Sequence, residues 1–229
     1  MKIIDHKLMA RNELIDRLRR TCLLGSAGEE PVLGLDGLEI YKQADIEMSI
    51  LDPNVLCPTQ TYVEIPIVNL IKSIRKQLLQ HEIDIFNMDG GVWIRTDEYP
   101  DEWIPVVPPI IENSQADNGI DIISDGMHRS YAARMEGMPI NVIRVKNLPP
   151  NVPYYAYPLP DGWKSVMQVH TKPDEKLTKT FRWPHGKHRW LYRVYNADDV
   201  LPGVQKKRGP SRCAWNDNRE LPLIPNMSP

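Results

Sequence analysis

The stretch Ile120-Asp121-Ile122-Ile123-Ser124-Asp125-Gly126-Met127-His128-Arg129-Ser130 constrains this chain more than any other. An apolar run typical of a strand stops at Asp-Gly, and Gly admits backbone angles closed to other residues. Ser130 to Glu136 then reads as a short helix ended by Gly137, and Ile140 to Val145 as a further strand. A helix that starts directly after such a turn has first N–H groups without intrahelical partners and a positive dipole end facing outward. That end suits an anion, phosphate above all. His128 and Arg129 add charge-assisted donors, and the forked Arg head matches phosphate oxygens. Asp125 is placed to hold a metal ion or to orient a hydroxyl. The plainer alternative is that Asp125 caps the helix and Gly126 makes the turn.

The rest of the chain sets the frame. Its 229 residues can bury a core without a disulfide or metal staple. A formal net charge of −2 argues against broad affinity for nucleic acid or acidic membranes, though not against a local basic site. Cys22, Cys57 and Cys213 are far apart and form no CxxC pair, which points to free thiols in a reducing compartment. The opening residues Met1 to His6 carry charges where a signal peptide needs an apolar core. No apolar run approaches the roughly 20 residues that span a bilayer. A cytoplasmic, soluble protein is the expectation.

Periodicity predicts an amphipathic helix over residues 7–24 and half-buried strands at 38–42 and 46–50, broken by Asp52-Pro53-Asn54. A second helix is predicted over 67–79, with Pro66 in its first turn. Gly90-Gly91 separates possible strands at 83–86 and 92–95, and Pro100, Pro105, Pro108 and Pro109 speak against long regular elements nearby. Strands at 110–112 and 120–123 are joined by the polar stretch 113–119.

With these elements in place, Asp125-Gly126-Met127-His128-Arg129-Ser130-Tyr131-Ala132-Ala133 and Gly137-Met138-Pro139-Ile140-Asn141-Val142 resemble the ParB/sulfiredoxin superfamily over about residues 36–147. The resemblance implies an α+β fold in which a small mixed sheet is flanked by helices and the turn holds nucleotide phosphates. Sulfiredoxins place a reactive Cys where this chain has Met127, whose thioether cannot act as a thiolate, so sulfinic-acid repair is not expected. Partition proteins follow this domain with a helix-turn-helix, and nothing after Val145 reads as one. The turn is most similar to that of free-serine kinases, Asp-Gly-His-His-Arg. Those kinases carry a catalytic Glu in a Pro-x-Glu segment. The similar segment here is Pro58-Thr59-Gln60, which puts Gln60 in its place, with Glu64 four residues on as the substitute.

The resemblance thus implies a nucleotide-dependent phosphotransferase acting on a hydroxyl of a small metabolite. ATP or ADP (or CTP) and Mg²⁺ would be its cofactors. Gly126, Met127, His128, Arg129 and Ser130 would hold the phosphates. Asp125 and His128 would act catalytically, with Glu64 or Gln60 on the acceptor side. Two alternatives are a DNA-associated ParB-like nucleotide switch or nuclease-like protein, and a phosphate-binding module without catalysis. Nucleic acid would then meet the basic, aromatic segment Lys179 to Arg212, with Trp183, Trp190, Tyr192 and Tyr195. A helix packed on the core explains that segment equally well. Lys206-Lys207-Arg208 reads as a basic loop. His170, His185 and His188 lack a completing Cys or acidic pair for a metal site. Tyr154, Tyr155, Tyr157 and Trp163 could line a pocket, but read more readily as packing beneath a loop. The expected organisation is a helical segment at 1–35, the phosphate-binding domain at 36–147 and a Pro- and aromatic-rich, basic extension at 148–229.

Overall fold

The computed structural model describes residues 1–23, 38–171, 173, 178–182 and 191–194. In chain order its elements are β1 (Ile3–Ala10), α1 (Arg11–Leu18), β2 (Cys22–Leu23), β3 (Asp45–Leu51), β4 (Tyr62–Glu64) and α2 (Ile65–Leu78). Next come β5 (Gly90–Thr96), β6 (Tyr99–Val106), β7 (Ile110–Ser114), β8 (Ile120–Asp125), α3 (Met127–Met135) and β9 (Ile140–Lys146). Two short strands close the set, β10 (Met167–Val169) and β11 (Arg193–Val194). The class is α+β, as the resemblance implies.

The central sheet has the order β3-β9-β7-β8, with β7 and β9 parallel and the other neighbours antiparallel. Its inner strands are buried on both faces, which explains why they read as apolar doublets rather than as a strict alternation. Ile110, Ile122, Ile143 and Val145 face one core with Met9, Leu14, Leu18, Tyr41, Tyr154 and Leu191. Ile111, Ile123, Ile140 and Val142 face the other, with Val63, Val68, Tyr131, Ala132 and Trp163. The first core therefore draws on chain before residue 36 and after residue 147 as well as on the strands between. A second sheet, β1-β5-β6, is antiparallel throughout.

One buried ion pair binds the distant segments together. Arg193 donates from Nε and Nη2 to the two carboxylate oxygens of Glu112 at 2.8 Å each, and both side chains are only 1% exposed. Tyr41 Oη donates to the same carboxylate at 2.6 Å, and the remaining guanidinium donors go to the carbonyls of Leu191 and Val152. The forked geometry satisfies both charges, which a buried pair requires.

Several elements depart from the sequence-based expectation. Residues 7–10 are strand, not helix: β1 pairs with β5, and Leu8, counted toward a helical apolar face, is 70% exposed while Met9 is buried. The helix spans only Arg11–Leu18. The predicted strand at 38–42 is a turn, whose Ile40 and Tyr41 side chains nonetheless enter the core. At 83–86 the Asp84 carboxylate captures the Phe86 N–H at 3.0 Å and folds the chain into a turn. Pro100 and Pro105 do lie in an eight-residue strand, β6, which is tolerated because β6 pairs on one side only. The predicted helix at 130–136 starts three residues earlier, at Met127.

Arg193→Ala strands the Glu112 carboxylate in the core, and should cost about 3–5 kcal/mol in urea unfolding. Replacing both partners, Arg193→Met with Glu112→Gln, should recover much of that loss. A second pair lies at the end of α2, where Arg75 grips Asp84 through two hydrogen bonds of 2.7 and 2.8 Å and also pairs with Glu136. The hydrogen bonds from Arg75 hold the Asp84 carboxyl below its ordinary value of 3.8. A lowered folded value means that this contribution is present above pH 3.8 and is lost as pH falls through the folded value. Asp84→Asn should therefore be less stable than wild type at pH 7, with the gap closing in unfolding curves recorded below pH 3.8.

Candidate functional site

The turn after β8 is built around Gly126. Its φ of +85° is left-handed, and it forms the N-cap of α3 without a side-chain cap. A Cβ at this position would stand 2.7 Å from Pro109 Cα and 2.9 Å from Arg129 Nη2, so glycine is required by space as well as by torsion. Arg129 folds back across the turn and donates from Nη2 to Asp125 Oδ2 at 2.8 Å. Its side chain is 8% exposed and that of Asp125 20%. The arginine expected to reach out to phosphate is thus seated against the turn and braces it. Ser130, one position further, is fully buried, and its hydroxyl has no hydrogen-bond partner. Met127 packs against the second core. Tyr154 Oη donates to the Ser124 carbonyl at 3.0 Å and steadies the last stretch of β8.

His128 links this turn to a second helix start. The backbone N–H of Glu64, the N-cap of α2, donates to His128 Nε2 at 3.0 Å. An accepting Nε2 must be unprotonated, so this bond fixes the ring with its other nitrogen as donor when neutral. The N-termini of α2 and α3 therefore meet, each with its positive dipole end toward the junction. Glu64 lies at that junction, half-buried, and its carboxylate makes no ion pair among the described residues. Gln60 is differently placed: from the bend before β4, its amide donates to the Tyr62 carbonyl at 2.8 Å. Of the two acceptor-side candidates, the structure joins Glu64 to His128.

A contribution from chain beyond residue 150 was missed from sequence. β10 pairs in parallel with β4, with Val169 opposite Glu64, and Gln168 Nε2 donates to Tyr131 Oη of α3 at 2.9 Å. Trp163 supports this from below, its indole N–H donating to the Pro53 carbonyl at 2.7 Å and its ring lying 5.7 Å from Tyr131. A three-residue strand leaves almost no period to read, and Gln168 carries no signal of its role except position.

The basic segment is only partly described. Lys179 bonds Tyr155 Oη, Arg182 bonds Asp117 and the Tyr154 carbonyl, and Arg193 is buried on Glu112, so these three serve packing. Tyr192 packs on Tyr155 at 4.2 Å. Trp183, His185, Lys187, His188, Arg189, Trp190, Tyr195, the 206–208 loop, Arg212 and Cys213 lie outside the described residues. Tyr154, Tyr155 and Trp163 are core residues rather than an open pocket wall. Burial raises the thiols of Cys22 and Cys57 above their ordinary value, which makes neither a ready thiolate. Among the described residues no group of three His, Cys, Asp or Glu could hold a metal ion, and no helix is long and apolar enough to cross a membrane.

A helix N-terminus entered from a strand through a left-handed glycine is the arrangement that the resemblance in the 125–130 turn implies; the second helix start, joined to it by His128, comes from the structure. The family model described as the ParB CE domain matches residues 13–167, which is more than half of the chain. The chain belongs to that family. The match runs past both limits of the 36–147 segment, into α1 and to the first residue of β10. No curated protein and no solved structure matches it.

Gly126→Ala tests the turn directly. Left-handed strain and the approach of Pro109 together should cost about 2–4 kcal/mol in chemical denaturation. Pro109 backbone cannot move without disturbing its carbonyl's bond to the Ile143 N–H, so little of that strain can relax.

Proposed function

We propose that this chain is a nucleotide-dependent phosphotransferase acting on a hydroxyl of a small metabolite, with the phosphates held at the start of α3. The observation that carries the reading is the junction of two helix N-termini through the 3.0 Å bond from the Glu64 backbone N–H to His128, which sets an acidic residue at the N-cap of α2. Phosphoryl transfer depends mostly on positioning and charge neutralisation, and paired helix starts supply both for an anion.

In this reading the backbone N–H groups of Met127 and His128 contact phosphate oxygens. Arg129 adds positive potential from behind, held in place by Asp125. Glu64 takes the proton of the acceptor hydroxyl; Gln60, an amide bonded to the Tyr62 carbonyl, does not. ATP or ADP fits an uncapped α3 start beside a buried and unpartnered Ser130 hydroxyl. Asp125 is the carboxylate that would position Mg²⁺, an ion bound through few carboxylates plus substrate phosphates, and its charge would offset that of the phosphates. A second reading, equally compatible with membership in a ParB-like family, is that the same turn binds a nucleotide and switches a partner without chemistry.

Calorimetry with ATP, ADP and CTP in Mg²⁺, followed by a screen of hydroxylated metabolites for phosphate transfer, separates the two. The transferase reading expects one nucleotide to bind. It also expects Glu64→Gln to lose turnover by about 10²–10⁴-fold with nucleotide affinity retained, while Gln60→Ala keeps its turnover. Binding without transfer to any acceptor would favour the switch. Failure of all three nucleotides to bind would remove both readings.

A further inference from the structure

We infer that the chain forms a twofold dimer through the outer edge of β3, which pairs antiparallel with β3 of a second copy and joins two four-stranded central sheets into one of eight. The four edges of the two larger sheets are not alike. An edge strand offers unpaired N–H and C=O groups, and proteins ordinarily block it. The outer edge of β8 is taken by Cys57, whose N–H donates to the Asp121 carbonyl at 2.8 Å and whose carbonyl accepts from the Ile123 N–H at 3.0 Å. On β1 the N–H groups of Ile3 and His6 donate to the side chains of Gln77 and Asp5, each at 2.8 Å. β6 carries Pro100 and Pro105, which have no N–H to offer. β3 has none of these devices. It contains no proline, pairs with β9 without a bulge, and among the described residues its main chain bonds only to β9.

The residues of β3 select the occupant. Ile46 and Met48 lie opposite Val145 and Ile143 of β9 and pack against the first core. Ile50 continues the same face but is 62% exposed. Two copies of Asp45–Leu51 pair along their whole length only about a centre at Met48. That register sets each exposed Ile50 against Ile46 of the other copy, so the core face runs on across the junction. On the opposite face each Glu47 meets the other copy's Ser49, whose hydroxyl can donate to a carboxylate.

Charge favours the same register. A centre at Glu47 sets two carboxylates face to face, which is destabilising, and a centre at Ser49 leaves only residues 47–51 of each strand in register. About Met48 no like charges are opposed. Glu47 is balanced within its own copy by Lys146 of β9, and Asp45, at the strand end opposite Leu51, is held by Asn147. Such an interface is isologous, each contact occurring twice, as a closed twofold dimer requires. β8 lies at the far edge of the central sheet, so the dimer leaves the 125–130 turn of each copy at an outer end. The inference therefore stands apart from the proposed nucleotide chemistry.

The test uses the full chain as wild type, Ile50→Lys, Ser49→Lys and Ser49→Glu. Sedimentation equilibrium over a range of concentrations gives the dimer dissociation constant of each, and circular dichroism checks the fold. We expect wild type to dimerise reversibly and Ile50→Lys to raise its dissociation constant about tenfold or more, because symmetry repeats the substitution at two points. Ser49→Lys, facing Glu47 of the second copy, should lower the constant, and Ser49→Glu should raise it, each by about three- to tenfold. Opposite effects from one position are what the register requires and a loss of folding would not produce. Wild type that stays monomeric at every concentration overturns the inference; β3 amides protected from hydrogen exchange in that monomer would assign the edge to another part of the same chain. A dimer that none of the three variants moves places the contact elsewhere and overturns it equally.

Discussion

The fold closes through a single buried carboxylate. Glu112 on β7 receives Tyr41 from the chain before the central sheet and Arg193 from the chain far beyond it. A carboxylate with 1% exposure is costly unless every lone pair has a partner, so each of those segments is needed to make the others tolerable. Leu14, Leu18, Tyr154 and Leu191, drawn from distant parts of the sequence, share one core. The expected three-part organisation describes the composition of the chain. The core it builds is shared across those parts.

The candidate site inherits its rigidity from this packing. β8 is anchored on β7, the strand that carries Glu112, and its last carbonyl before Asp125 accepts from Tyr154, a neighbour of Arg193 in the same core. The turn is then fixed at three points: Gly126 against Pro109, Arg129 on Asp125, and His128 on the Glu64 backbone. None of these three contacts needs a ligand, so the two helix starts are already aligned before anything binds. Preorganisation of that kind matters because donors aimed in advance need no rearrangement when charge arrives.

The strand–turn–helix–strand unit was legible in sequence because its signals are local: an apolar run, a glycine needing positive φ, a helix period and a closing Gly137. α2 was legible for the same reason. What stayed hidden depends on partners remote in sequence. Residues 7–10 contain an apolar spacing that fits a helix, and only pairing with β5, more than eighty residues away, turns them into strand. Pro100 and Pro105 read as breakers because nothing local says that β6 has a free edge to receive them. At the site, the sequence could list Glu64 and Gln60 but not choose between them. The structure links Glu64 to His128 through a backbone N–H, a group that every residue there possesses.

The basic residues carry a further lesson about where anion recognition can reside. Arg129, Lys179, Arg182 and Arg193 looked like a phosphate-binding inventory by type, yet each is committed to a carboxylate, a carbonyl or a tyrosine of the fold. Charge used in this way steadies loops and contributes potential, but it does not wrap a ligand. Under the proposed function, recognition at the junction would fall on backbone N–H groups whose direction is set by two helix axes, and such donors read the shape of a phosphate chain rather than the identity of a base. In that reading, discrimination among nucleotides or acceptors would come from side chains bordering the junction, and β10, laid beside β4 by chain beyond residue 147, is an element that brings further side chains next to it. If the turn holds phosphate as proposed, a change in this strand of three residues is where the same turn would acquire a different substrate.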